Sequence, residues 1–389
     1  MKISGYFVLS CIFLLVTFIY PAGDALCLNL IDHFFKEKNS KSKDQTASYE
    51  NKNLGFKNEF YFLPAVENND FFESINDFSI CKNKEVRKFI VLYLTDGREF
   101  LNAAIVRSNR YLKFVEEIFN SNKDIHKDIS LLPLLESAFN PYAVSRSKAV
   151  GIWQFLKNTS RPLNLKVNNW VDERRDVEKS TVAAIRHLRG LYSTFGSWEL
   201  ALAAYNGGAG QVKRAMRNSK SKTFQQLYAS GTLKRETAEY VHRFAAMLVI
   251  YKNQKFFDIE PENFQPFPAE SESIVFEYPV KINYISKLTG IPIDTLRLMN
   301  PELKQNITPL YENKYTLKIP KGNKEILEAN ISSLYEIKYN KLKKHIVKKG
   351  ECISRIAATY KTEVKKIVLL NNLKSPESIK PGLELYIPI

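Results

Sequence analysis

Residues 131–140 read Leu-Leu-Pro-Leu-Leu-Glu-Ser-Ala-Phe-Asn and set one carboxylate, Glu136, at the end of a strongly apolar run. Such a run reads as a buried helix, and burial penalises the charged form of a carboxyl group. A place at a helix C-terminus pushes the same way, because the dipole there disfavours negative charge. Glu136 is therefore expected to keep its proton near neutral pH, the state in which a carboxyl acts as a general acid. A structural ion pair with a nearby Arg or Lys is the competing reading, since such pairs also perturb a carboxyl.

Four later segments carry polar and aromatic residues: Gly151-Ile152-Trp153-Gln154-Phe155; Asn169-Trp170-Val171-Asp172 with Arg174-Arg175-Asp176; Leu202-Ala203-Ala204-Tyr205-Asn206-Gly207-Gly208; and Arg235-Glu236-Thr237-Ala238-Glu239-Tyr240-Val241. In this order, and with Glu136 ahead of them, they resemble the catalytic domain of lytic transglycosylases with a lysozyme-like fold, most of all the membrane-bound murein transglycosylase D type. The resemblance covers residues 82–257, and four ordered motifs carry more weight than any one alone.

The resemblance implies roles for individual residues. Ser137 would hydrogen-bond Glu136 or the sugar, or simply cap the helix end. Gln154 would reach the substrate or orient Glu136, and Gly151 would allow close backbone approach there. Trp153 reads as core packing. Tyr205 and Asn206 would end a helix at the cleft, with Tyr205 bonded to Glu136 or to substrate. Tyr240 lies on an apolar helical face and reads as core by periodicity; the resemblance makes it a site tyrosine. Phe139 and Tyr142 fit groove lining and loop packing equally.

Ordinary glycosidases need two carboxylates, and the motifs offer one prominent one. Asp172, Glu173 and Asp176 lie beside Arg174 and Arg175, where structural ion pairs are the natural reading. A single carboxylate fits transglycosylation of peptidoglycan. Glu136 would protonate the oxygen between N-acetylmuramic acid and N-acetylglucosamine, then deprotonate the muramic acid C6 hydroxyl as it closes a 1,6-anhydro ring. The alternatives are a hydrolytic lysozyme of the same fold and a non-catalytic peptidoglycan-binding protein.

Helical periodicity positions these residues. Phe89, Tyr93, Phe100, Ile105, Tyr111, Val115 and Ile118 suggest two helices broken near Asp96-Gly97. Asp128 is the expected N-cap of the helix leading to Glu136, with Pro133 a kink inside it. An amphipathic helix over 178–195 would bury Val182, Ile185, Leu188, Leu191 or Tyr192, and Phe195, and stop at Gly196. Ser197 would cap a helix from Trp198 to Tyr205, and a long helix is expected from Arg235 to Lys252 with Tyr240, Phe244, Met247 and Tyr251 on one face.

Three prolines in 261–272 mark a boundary. Beyond it, a strand from His345 to Val347, a turn at Gly350-Glu351, two short helices and a strand over Leu383–Pro388 resemble a LysM domain, a module that binds N-acetylglucosamine-containing glycans. Gly350, Glu351, Ile379 and Pro381 would form its glycan groove. Cys352 stands where the family has Ser or Thr, and cysteine is a weak cap. Residues 273–320 resemble a divergent copy, with strands at Val275–Tyr278 and Tyr315–Ile319, and lack the leading turn element.

The expected fold class is α+β and multidomain: a mainly α-helical lysozyme-like catalytic domain followed by small β-α-α-β LysM-type modules. The order is a signal peptide over 1–25, a flexible polar linker over 26–57, the catalytic domain over 58–262, the divergent module over 263–322, a linker over 323–342 and the LysM domain over 343–389. Aromatic clusters at Phe60-Tyr61-Phe62 and Phe71-Phe72 fit a segment that docks back onto the catalytic domain and a local packing patch equally. Lys2, an apolar stretch from Tyr6 to Tyr20 and Pro21–Ala25 resemble a secretory signal. An uncleaved anchor is the alternative, as is lipidation of Cys27, although Leu26 stands where lipoproteins have a small residue. A secreted, cell-envelope or periplasmic location follows.

The 389 residues carry a net charge of +16, which favours anionic polymers as partners. The lysines are dispersed and no nucleic-acid-binding motif is present, so peptidoglycan strands rather than nucleic acid are the expected partner. Cys11, Cys27, Cys81 and Cys352 imply no closed disulfide framework beyond a conceivable Cys27–Cys81 bridge. His33, His126, His187, His242 and His345 lack metal-ligand spacing, so no metal or cofactor is expected. The protein is expected to be a monomer.

Overall fold

A computed structural model describes residues 83–259, 270–277, 279–309, 314–331, 342–371, 373 and 375–388. The signal segment, the polar linker, Cys27, Cys81, the aromatic clusters of 60–72, the proline-rich boundary over 261–269 and most of the 323–342 linker lie outside the described residues. Two units are distinguished: Met1–Leu165 with Arg174–Pro266, and Lys166–Glu173 with Phe267–Ile389. Among the described residues, no helix is long and apolar enough to cross a membrane.

The first unit is built from helices. Helix α1 (Lys84–Leu94) starts where the Asn83 side chain accepts from the Glu85 N–H. Helix α2 (Arg98–Asn120) follows the expected break and buries Leu101, Ile105, Tyr111, Val115 and Phe119. Phe89 stays at the rim of α1, with the Arg243 guanidinium 5.3 Å over its ring.

The approach to Glu136 differs from expectation. Asp128 does not cap the glutamate's helix; it lies in a 3₁₀ turn (Lys127–Leu131) that precedes α3 (Leu132–Ser137). Its buried carboxylate instead accepts from Lys252 Nζ at 2.5 Å, so the pairing demand of a buried charge overrides the capping role. Pro133 falls in the first turn of α3, where no N–H is needed, and so opens the helix instead of kinking it.

After the short helix α4 (Lys157–Ser160), Asp176 caps α5 (Val177–Phe195), which ends at Gly196 in the left-handed region at φ 67°. Its buried ridge runs through Val177, Thr181, Ala184, Leu188 and Leu191. Val182 and Tyr192 fall beside that ridge and are 44% and 38% exposed, so of the two alternatives Leu191 is the buried one. Ser197 caps α6 (Trp198–Gly207), which Gly208 ends. Helices α7 (Ala209–Ser219) and α8 (Phe224–Ala229) lead to α9 (Arg235–Lys252). Helix α9 packs against α1, α3 and α6 and buries residues on most of its faces, including Tyr240, Phe244 and Met247. Tyr251 is half-buried.

The second unit holds two small antiparallel pairs. Strand β1 (Ser271–Phe276), helices α10 (Ile282–Thr289) and α11 (Ile293–Met299) and strand β2 (Tyr315–Pro320) form one repeat, with Ser271 opposite Pro320 and Phe276 opposite Tyr315. After α12 (Lys324–Ala329), strand β3 (Leu342–Ile346), helices α13 (Ile353–Thr359) and α14 (Val364–Leu370) and strand β4 (Glu384–Pro388) form the other. Its core gathers Val347, Ile353, Ile356, Ile367, Leu385 and Ile387. Cys352 stands at the N-cap of α13 without a side-chain hydrogen bond, as its chemistry leads one to expect.

By contact, residues 166–173 group with this second unit. The Asn168 side chain accepts from the Trp170 and Val171 N–H groups and folds a tight turn. Val171 bridges Leu303, and the Lys304 N–H donates to the Trp170 carbonyl at 2.9 Å. Trp170, 3% exposed, joins Ile274, Phe276, Leu317 and Tyr386 in one apolar cluster. Burial of a large aromatic ring is the force behind this placement.

Candidate active site

Glu136 is the penultimate residue of α3, a helix of six residues held by its surroundings. The chain leaves it through Ala138 and Phe139, both left-handed at φ 52° and 56°. Each costs about 1–2 kcal/mol without glycine, and such strain persists only where neighbours over-determine it. The neighbours are visible: Arg107 Nε donates to the Ala138 carbonyl at 2.8 Å, and the Phe139 N–H donates to the Pro133 carbonyl at 3.0 Å. Phe139 is fully buried and belongs to the core, while Tyr142 is 39% exposed with the Arg175 guanidinium 5.9 Å from its ring centre.

The Glu136 carboxyl accepts a short hydrogen bond at Oε1 from the Tyr240 hydroxyl. Among the described residues it pairs with no lysine or arginine, so the ion-pair reading fails. Burial raises its pKa to about 7; the Tyr240 bond pulls it down and the charge of Glu236 adds to the rise. The residue as a whole is half-buried. Tyr240 and Tyr205 are both pushed well above the ordinary phenol value, chiefly by burial and then by Glu136, and remain protonated donors.

The other expected site residues reach Glu136 indirectly. Ser137 is fully buried and donates to the Ile152 carbonyl at 3.0 Å, which ties α3 to the 151–155 loop. Tyr205, near the end of α6, donates to the Trp153 carbonyl at 2.7 Å in the same loop. The Gln154 side chain turns back on its own loop, Nε2 donating to the Gly151 carbonyl at 2.8 Å, and its backbone is left-handed at φ 49°. Asn206 Oδ1 accepts from Thr237 Oγ1 at 3.0 Å, which joins α6 to α9 one turn before Tyr240. Among the described residues nothing engages the Asn206 amide hydrogens.

Gly151 explains the loop's shape. Its φ is 85°, and a Cβ there would lie 1.8 Å from the Arg174 carbonyl oxygen. The close approach it permits is to the Arg174 backbone. Arg174 then donates to the Phe155 and Lys148 carbonyls at 2.9 and 3.2 Å. Trp153 is fully buried, stacks on Phe119 with ring centres 5.9 Å apart, and donates to Thr181 Oγ1 at 2.9 Å.

The alternative carboxylates are occupied. Asp176 caps α5 by accepting from the Lys179 N–H at 2.9 Å, and Glu173 accepts from the Lys166 N–H at 2.7 Å. Asp172 is buried. Arg107 and Thr237 were missed in the sequence. Thr237 lies inside a motif and could have been found; Arg107 precedes its partner Ala138 by 31 residues and leaves no local signal.

In the last repeat, Gly350 turns at φ 83°, and Glu351 points inward. Its carboxylate accepts from the Lys348 N–H at 2.7 Å and pairs with His345 Nε2 at 2.8 Å, whose other ring nitrogen meets the Tyr360 hydroxyl at 3.1 Å. These bonds hold the Glu351 carboxyl below its ordinary value, first through the Lys348 N–H. Ile379 packs against the core and Pro381 is exposed.

A helical unit that sets Glu136 against the Tyr240 hydroxyl, followed by two strand–helix–helix–strand repeats, has the build of a transglycosylase domain with appended LysM-type modules. Family models agree: Transglycosylase SLT domain matches residues 118–228, the Lytic transglycosylase MltD LysM-like domain 270–336, and LysM domain 345–388. The chain belongs to the lytic murein transglycosylase family. It is similar to the membrane-bound lytic murein transglycosylase D of Escherichia coli K12, 28% identical over 79% of this chain and 70% of that protein. A putative tributyltin chloride resistance protein of Alteromonas is 33% identical over 39% of this chain and 73% of its own length. The membrane-bound lytic murein transglycosylase C of Edwardsiella ictaluri is 28% identical over 29% of this chain and 35% of its own.

Proposed function

We propose that this enzyme cleaves the β-1,4 bond between N-acetylmuramic acid and N-acetylglucosamine in peptidoglycan without water. The observation that carries the reading is the Glu136 carboxyl, held near pKa 7 with a phenol and no cation as its partner. Glu136 gives its proton to the glycosidic oxygen as the bond to C1 breaks, and N-acetylglucosamine leaves. The resulting carboxylate takes the proton of the C6 hydroxyl as that oxygen bonds to C1. The products are a 1,6-anhydromuramyl end and a new N-acetylglucosamine end, with Glu136 reprotonated. An internal nucleophile needs no bound water, and proximity supplies much of the rate. Asp176, one of the alternative carboxylates, is engaged as the cap of α5.

Tyr240 keeps the carboxyl oriented. Tyr205 and Ser137 hold the loop that carries Gln154, and the Asn206 amide is available to a sugar. The last C-terminal repeat acts as a glycan-binding module, and linkage to the catalytic unit raises local concentration on an insoluble polymer. The net charge of +16 suits an anionic wall. The membrane-bound character of the Escherichia and Edwardsiella relatives supports a place in the cell envelope.

The test is mass spectrometry of soluble products from purified peptidoglycan, with Glu136→Gln in parallel. Anhydromuropeptides from the wild type alone are the expected result. Reducing-end products would overturn the non-hydrolytic reading, and the same products from the variant would remove Glu136 from its role.

A further inference from the structure

A second opening lies within the helical unit, at the far end of α6 from the catalytic residues. Trp198 begins that helix and Tyr205-Asn206 lie near its end, so about 10 Å of helix separates them. The opening is a cavity of about 500 Å³ with Phe119 and Ile125 in its lining, Trp198 on one side, and Asn120, Lys123 and Lys127 around it. Phe119 and Ile125 are buried, while Trp198 is half-exposed.

Trp198 stacks on Tyr192, with ring centres 4.2 Å apart and planes at 25°. That contact holds the indole on the partly exposed Tyr192 ring while Trp198 also lines the cavity. The charges are sorted too. Asp124 is neutralised by Arg189, whose Nε and Nη2 lie 2.5 and 2.8 Å from the carboxylate, and Arg189 also reaches Asn122 Oδ1 at 3.1 Å. Lys123 and Lys127 are exposed, and among the described residues neither has a carboxylate partner. The cavity thus combines an anchored aromatic ring, an apolar lining, an amide and two unneutralised cations. Sugars pack their C–H faces on indole, and carboxylates seek ammonium groups.

We infer that this cavity is a second saccharide site, which takes an anionic muropeptide with a sugar on Trp198 and stem carboxylates on Lys123 and Lys127. The inference rests on peptidoglycan being the substrate. A site here holds a strand to the helical unit away from the cleft, so polymer stays engaged between cleavages.

Trp198 makes the test direct. The chain has three tryptophans, and Trp153 and Trp170 are 0% and 3% exposed, so ligand-induced changes in intrinsic fluorescence report on Trp198. The probe is a soluble N-acetylglucosaminyl-N-acetylmuramyl tetrapeptide, which has no bond for this enzyme to cleave, titrated into the full chain. A saturable change is expected, abolished in Trp198→Phe and shifted at least tenfold to higher concentration in the double variant Lys123→Glu/Lys127→Glu. Neutral chitotetraose should give a much weaker response. No saturable change, a change that survives in Trp198→Phe, or one indifferent to the lysines would overturn the site. Product analysis on the same protein reads the catalytic proposal separately. Anhydromuropeptides without a Trp198 response would sink this site alone, and a Trp198 response without them would sink the cleavage reading alone.

Discussion

Glu136 in the helical unit loses water to burial and meets one phenol, whereas Glu351 in the last repeat accepts from a backbone N–H and pairs with a histidine. The first is raised to about 7 and is protonated below that pH; the second is lowered and stays ionised. The same side chain becomes an acid in one place and a latch in the other. The difference lies in which state its neighbours favour: desolvation penalises the charge, and hydrogen bonds to the carboxylate reward it. A catalytic role therefore cannot be read from residue type, only from what replaces the water around it.

The sharpest break in this contrast is Glu136→Gln. Anhydromuropeptide release should fall about 100- to 10,000-fold, while sedimentation with peptidoglycan is unchanged. Full activity in the variant would show that the raised carboxyl is incidental. Next comes the loop that braces the site. Gly151→Ala must move the Arg174 backbone and accommodate φ 85°, so we expect a loss of more than about 3 kcal/mol in denaturant unfolding. A near-native midpoint would mean that the loop yields easily.

Third is the pH dependence of stability. A carboxyl raised from 4.5 to about 7 binds more protons in the folded state, so its contribution is complete below pH 4.5 and is lost as pH rises through 7. That gap corresponds to about 3 kcal/mol. Glu136→Gln should therefore be more stable than wild type at pH 8, with the gain vanishing near pH 4; parallel melting curves would contradict the raised carboxyl. Tyr240→Phe should have a smaller effect. It removes a bond that lowers the Glu136 pKa, so the alkaline limb of the pH–rate profile should move up while turnover falls about tenfold. An unmoved limb would separate Tyr240 from the proton.

The smallest effect tests the other glutamate. The lowered Glu351 carboxyl contributes stability above its ordinary value of 4.5, and that contribution is lost as pH falls through the lower folded value. Amide exchange in residues 347–352 should quicken on acidification in the wild type and be fast at all pH in Glu351→Gln. Equal protection in both proteins would remove the latch.

Much of the frame was legible because it is local. Ser197 caps α6 through the neighbouring Leu200 N–H, and Gly196 stops α5 with a conformation that glycine adopts freely. The range Arg235–Lys252 follows from periodicity alone, and so do the paired strands of the C-terminal repeats. The cap expected at Asp128 gave way to a distant partner, Lys252, which claims its carboxylate across 124 residues of sequence.

Motif order in the sequence by itself determined the family, the helical and strand–helix character of the two parts, and Glu136 as the carboxylate to watch. Only the tertiary structure decided that Tyr240, and no cation, faces that carboxyl, that Ser137 and Tyr205 brace a loop, and that Glu351 turns inward. Capping and periodicity are written in residues a few positions apart. The dielectric around a carboxyl, and the donors that reach it, depend on segments brought together from 104 residues away, as Glu136 and Tyr240 are.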